Sequence, residues 1–219
     1  EATFIYLTKE DGVVEWIGAI SLLLCSFMFL LTYLNKREGN NLFILKTHKN
    51  IFFLFLAVLF FFGFGEEISW GQRIFKFNTP KSFSEFNVQN EFNIHNLTFF
   101  NKQSVKPSDT KERIWGKNIT INFLFNFFCL IYCGAIPLIN RLSPWAANFI
   151  RQVYLPVVPG LIAFAFVIFI VSFEVYDFFI EATLKQPVCE WRECILSVFF
   201  LITSIYWYNL RYLNDSVRI

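Results

Sequence analysis

Carboxylates with few basic neighbours are the chemically capable feature of this chain. The densest patch reads Gly65-Glu66-Glu67-Ile68-Ser69-Trp70-Gly71-Gln72-Arg73. Two adjacent carboxylates can hold a cation, pair with Arg73, or divide acid and base roles between shifted pKa values. If one helix runs through the patch, Glu66, Ser69, Trp70 and Arg73 share a face at i, i+3, i+4 and i+7. Glu67 then points elsewhere and needs another partner. Glu66 or Glu67 would serve as base and Arg73 as anion clamp. The plainer alternative is a polar cap that ends an apolar helix.

A second patch, Asn87-Val-Gln-Asn90-Glu91-Phe-Asn93-Ile-His95-Asn96, is dense in amides. His95 is a candidate general base or metal ligand. Asn90, Glu91 and Asn93, with Glu15, Ser69, Gln72 and Arg73, suit hydrogen bonding to a polar head group. The amides serve equally well to bind neighbouring backbone. A third patch, Glu174, Asp177 and Glu181, falls on one helical face at i, i+3, i+7. Glu66, His95, Glu174 and Asp177 would make a carboxylate-rich site for a divalent metal. A solvated acidic face is the alternative. Cys189 and Cys194 flank Glu-Trp-Arg-Glu and would form a disulfide in an oxidising compartment. The alternative is two free thiols at a helix start. No His-Glu-x-x-His, Gly-x-Ser-x-Gly, phosphate-binding loop or dinucleotide fingerprint occurs.

The elements that must position these residues are apolar helices. The 219 residues are 55% hydrophobic and 16% charged, against roughly 45–50% and 25% in soluble domains. Phe alone supplies 31. A net charge of +2 without a basic stripe excludes nucleic acid as a partner. A spanning helix needs about 20 apolar residues, and such runs fall at 13–34, 51–66, 119–140, 154–173 and 194–213. The second helix is expected to continue towards Phe75. Pro156 and Pro159 are expected in the first turns of the fourth, and Pro137 is expected to kink or end the third. The first run follows Lys9, Glu10 and Asp11, not a basic n-region, and reads as a span and not as a signal peptide. The expectation is all-α: a polytopic transmembrane bundle of about five spans, with a long outward-facing loop over 70–118.

Loop charge sets the orientation. Lys36, Arg37, Lys46 and Lys49 follow the first run, Arg141 and Arg151 the third, and Arg211 and Arg218 the last. The positive-inside rule makes these cytoplasmic, with the N-terminus outside and the C-terminus inside. Glu15, Glu66, Glu67, Glu174, Asp177, Glu190 and Glu193 then gather at the outer side. No run carries a charge near its centre, which argues against a midplane transport site.

Glu10-Asp11-Gly12-x-x-Glu15, the Gly65–Arg73 stretch, and Asn87-x-Gln89-x-Glu91-x-Asn93-x-His95-Asn96 together resemble an uncharacterised family of bacterial polytopic inner-membrane proteins. The similarity covers the first half of the chain, and the middle motif carries it. It implies a multi-pass protein of the bacterial inner membrane and names no activity. Two functions are expected to compete. One is an outer-leaflet acidic pocket for a cation or lipid-linked head group, as binder, hydrolase or transferase. The other is a non-catalytic accessory or assembly subunit, with membrane lipids and other membrane subunits as partners.

Overall fold

A computed structural model describes residues 8, 12–35, 49–87, 90–94, 97, 121–180 and 184–216. The described residues are helical apart from connectors and an isolated bridge between Asn87 and Leu97. The helices are α1 (Val13–Asn35), α2 (Ile51–Glu67), α3 (Gln72–Phe75), α4 (Lys81–Ser84), α5 (Ile121–Cys129), α6 (Ile136–Leu142), α7 (Pro144–Gln152), α8 (Gly160–Phe179) and α9 (Lys185–Ser216). By length and composition, Val13–Asn35 and Phe123–Leu142 can each cross a membrane, and Gly160–Tyr176 is a shorter apolar helix.

α1 packs against both α2 and α9. Its contacts give the directions. Phe29 stacks on Phe53 at 6.1 Å, while a Cβ on Gly63 would meet Leu22, so α1 and α2 are antiparallel. A Cβ on Gly18 would lie 3.4 Å from the Cys194 Cα, and Phe60 meets Phe200 at 4.8 Å while Phe53 meets Trp207 at 5.7 Å, so α2 is antiparallel to α9. α1 and α9 therefore run parallel. Phe166 meets Phe200 at 5.3 Å, and Glu174 faces Arg192 at 3.8 Å, so α8 is antiparallel to α9. Small residues at the α1–α9 crossing let the backbones approach where dispersion is the main attraction.

The core is largely aromatic. Phe200 of α9 contacts Phe60 at 4.8 Å, Phe166 at 5.3 Å and Phe128 at 5.9 Å, and so joins α2, α8 and α5. Leu22, Cys25, Phe29, Phe53, Leu56, Tyr132, Cys133 and Leu196 are buried around it. Ser26 donates to the Ala57 carbonyl at 2.7 Å, a helix-to-helix bond inside this apolar shell.

Three sequence expectations are corrected. α2 stops at Glu67 instead of reaching Phe75: Ser69, Trp70 and Gly71 have φ of 47°, 52° and 84°, which no α-helix admits. Pro137 does not end its helix. A π-helical turn over Leu130–Ala135 precedes it, and the chain continues as α6 to Leu142. Such a wide turn can absorb the proline's missing N–H. Pro156 and Pro159 precede α8 instead of entering it; Pro159 is its N-cap residue and Pro156 lies in the non-helical connector before it. The last helix also begins earlier than its apolar run, at Lys185, because Pro187 is tolerated in a first turn.

Candidate functional site

The two motifs of the first half meet in one polar network. Where α2 ends, the chain turns back and Trp70 folds over the helix. A Cβ on Gly65 would lie 2.9 Å from the Trp70 ring, so glycine is what admits the indole. Trp70 Nε1 then donates to Glu66 Oε1 at 2.6 Å. The other oxygen, Oε2, accepts the Ile94 amide at 2.7 Å. Glu66 is only 8% exposed, so its charge depends on these donors.

Around it the amide-rich loop is held by reciprocal bonds. Ser69 Oγ donates to Glu91 Oε2 at 3.0 Å, and Asn93 Nδ2 donates to the same oxygen at 2.6 Å. Asn93 Nδ2 also reaches Ser69 Oγ at 3.1 Å. Asn87 Nδ2 donates to the Asn93 carbonyl at 3.0 Å, and Asn87 Oδ1 accepts the Glu91 amide at 3.1 Å. Gln72 Oε1 accepts the Phe92 amide at 2.6 Å while Gln72 Nε2 donates to Thr79 Oγ1 at 2.8 Å. Thr79 Oγ1 in turn donates to the Asn90 carbonyl. The arrangement is a latch: it fastens residues 72–87 and 90–94 to the end of α2.

Glu67 is not part of it. It lines a separate cleft with Glu15 and Val14 of α1 and with Glu190, Glu193, Cys194 and Ser197 of α9. Gly18 forms the floor. The open space is about 10 Å³, enough for roughly one water. Four glutamates from three helices thus line one small space, and the parallel run of α1 and α9 places the first turns of α1 beside the second and third turns of α9.

Beside the cleft lies Arg192, a buried cation. Its Nη2 is 3.5 Å from Glu193 Oε1 and donates to Cys189 Sγ at 3.2 Å. Its Nη1 is 3.8 Å from Glu174 Oε1, and its carbon sits 5.2 Å from the Phe173 ring centre. Its Nε has no hydrogen-bond partner.

The expected residues therefore fall into different places. Ser69, Gln72, Asn90, Glu91, Asn93 and Glu66 belong to the latch. Glu15 and Glu67 belong to the cleft. Glu174 belongs to Arg192. The shared helical face of Glu66, Ser69, Trp70 and Arg73 is overturned by the break after Glu67, although Trp70 still returns to Glu66. Of the expected metal set, Glu66 lies in the latch and Glu174 beside Arg192, and among the described residues no three His, Cys, Asp or Glu side chains group as a metal requires. His95, Glu181 and the side chains of Arg73 and Asp177 lie outside the described residues.

The Cys189–Cys194 disulfide is also corrected. Both thiols are free and lie on one unbroken helix. Five helical residues separate Cα atoms by about 7.5 Å along the axis, beyond the ~7 Å a disulfide tolerates. Burial pushes the Cys189 thiol above its ordinary value, and the Glu193 carboxylate adds to this, opposed by Arg192.

Glu190, Glu193 and Arg192 were not among the expected site residues. Their signal was available: a lone Arg between two Glu, just ahead of an apolar run. No protein-family model, no curated protein and no solved structure matches the chain.

Proposed function

We propose that the chain is a polytopic membrane protein of about five spans whose outer-leaflet cleft binds a cation or the cationic part of a lipid-linked head group. The single observation that carries this reading is the convergence of Glu15, Glu67, Glu190 and Glu193 on one cleft. A cleft lined by four carboxylates favours a cation over an anion. The directions of the helices support the span count. α1 and α9 run parallel while α2 and α8 run against them, as an odd number of crossings requires. The loop charges then put the cleft outside and the C-terminus in the cytoplasm. The family resemblance supports a bacterial inner membrane as the compartment.

If the site is catalytic, hydrolysis or group transfer on a lipid-linked substrate is the fitting class, with Glu67 as its base. Glu66 is a poor base, since both of its oxygens already accept hydrogen bonds. The test is calorimetric titration of the purified protein in detergent with ethanolamine. Saturable binding, lost in a Glu15→Gln/Glu67→Gln variant that melts normally, is the expected result. No binding, or binding the variant keeps, would remove the reading.

The latch favours a second reading, an accessory or assembly subunit. Its polar side chains are consumed in fastening a loop, and α8 exposes Leu161, Phe164, Val171 and Phe178. A protein that co-purifies stoichiometrically from native membranes and is released by Phe164→Ser or Val171→Ser would support it.

A further inference from the structure

The cleft and the latch sit at the end of α2. Its start, at Asn50, meets a different surface. Between residues 119 and 173 the sequence holds no Asp or Glu and two basic residues, Arg141 and Arg151. These flank α7, which joins the apolar helices Phe123–Leu142 and Gly160–Tyr176. Ser143, in extended conformation, separates α7 from α6 and caps it by accepting the Ala146 amide at 3.3 Å. Asn50 Nδ2 donates to the Tyr154 carbonyl at 2.6 Å, which ties the start of α2 and its neighbour Lys49 to the chain just after α7.

At about 100° per residue, α7 has three faces. Ala146 and Ile150 are buried against the protein. Trp145 and Phe149 form a second face, stacked at 6.1 Å with 9° between their planes. They are 78% and 53% exposed, and Leu142 just ahead of them is 71% exposed. The third face is polar and exposed: Arg151 Nη2 donates to Asn148 Oδ1 at 2.5 Å. Among the described residues neither Arg141 nor Arg151 has a carboxylate partner. An apolar aromatic plate bordered by guanidinium groups suits the boundary of a bilayer, where rings enter the chains and arginines stay at head-group level. The charges select the occupant. Cations without acids complement lipid phosphate, whereas a second copy on the same face would set arginine against arginine.

We propose that α7 is an interfacial helix that recruits anionic phospholipid. The Trp145–Phe149 plate enters the acyl chains of the near leaflet, and Arg141 and Arg151, with Lys49 beside them, take the head-group phosphates. This rests on the membrane reading of the chain and is independent of the cleft.

The test uses the intact protein reconstituted in vesicles rich in phosphatidylcholine with a minor share of phosphatidylglycerol. Bromine is placed on the chains of one lipid or the other, and the difference between the parent and Trp145→Phe isolates this indole's fluorescence. Bromine on either lipid should quench Trp145, and the pattern should show phosphatidylglycerol enriched at least about threefold over its bulk share, falling with salt. Arg141→Gln/Arg151→Gln should return it to near the bulk share without changing the melting temperature. Arg141→Lys/Arg151→Lys, which keeps both charges, should retain most of the enrichment. Quenching in proportion to bulk composition overturns the proposal. So does a Trp145 reached by aqueous acrylamide alone, which faces water, or one shielded from bromine and acrylamide alike, which is covered by protein. Release of the protein from the vesicles by alkaline carbonate overturns the membrane reading itself.

Discussion

Glu66 and Glu67 are neighbours in the chain but belong to different polar systems. Glu66 accepts hydrogen bonds from Trp70 and from the Ile94 amide. Glu67 lines the cleft with Glu15, Glu190 and Glu193. The division follows from helix geometry, since adjacent residues differ by about 100° around an axis. It means the two glutamates should separate experimentally. Glu66→Ala removes the acceptor of two half-buried donors, the Trp70 indole N–H and the Ile94 amide, so it should cost about 2 kcal/mol of stability. Glu67→Gln should leave the melting temperature near that of the parent and abolish cation binding. Thermal melts and titrations on both variants check this; a Glu67 variant as unstable as the Glu66 one would place Glu67 in the scaffold.

The latch should be an all-or-none fastening, because Asn93 bridges Ser69, Glu91 and Asn87. Asn93→Ala removes the donor to Glu91 and the acceptor for Asn87. It should expose residues 72–87 and 90–94 to protease in membranes while α1, α2 and α9 stay folded. Gly65→Ala should act alike through a different contact, by pushing its methyl into the Trp70 ring. Limited proteolysis reads both. Wild-type resistance in either variant would mean that the loop is held by something other than this network.

How much of this was legible in the sequence varies with the physical signal. Apolar runs fixed the helices near the right places, because burial and bilayer length both demand them. The continuation to Phe75 failed because nothing in Ile68-Ser69-Trp70 advertises positive φ; only Gly71 does. The pairing of the amide-rich loop with Glu66 and Glu91 was foreseeable as a class, since dense amides must bond to something, but not residue by residue. The joining of Glu67 to Glu15, Glu190 and Glu193 depends on α1 and α9 lying side by side, a long-range contact that periodicity does not encode.

The parallel run of α1 and α9 makes a prediction about sidedness. Asn90 and Asn148 are exposed and sit on segments that five crossings place on opposite sides. Asn90→Cys should react with a membrane-impermeant maleimide in intact spheroplasts, and Asn148→Cys only after lysis. The same side for both would require an even number of crossings between them.

The thiols give a prediction with a definite pH sign. Cys189 is held as a neutral thiol by burial, with Glu193 accepting from its Sγ at 3.4 Å. Its folded pKa is raised, so the stability gained from keeping it neutral is complete below the ordinary thiol value of about 8.5 and is lost as pH rises above it. The thiolate is the nucleophile. Alkylation of Cys189 at pH 8 should therefore be much slower than that of a free thiol, and should still be rising steeply above pH 9. Glu193→Gln removes a negative charge and weakens the hydrogen-bond acceptor, so it should speed alkylation; Arg192→Gln removes the opposing cation and should slow it further. Mass-spectrometric alkylation rates across pH 7–10 measure this, and the same spectra should find Cys189 and Cys194 unlinked under oxidising conditions. A reaction as fast as that of a free thiol at pH 8, levelling off above pH 9, would place Cys189 at an open surface, and with it would go the buried setting on which Arg192 depends.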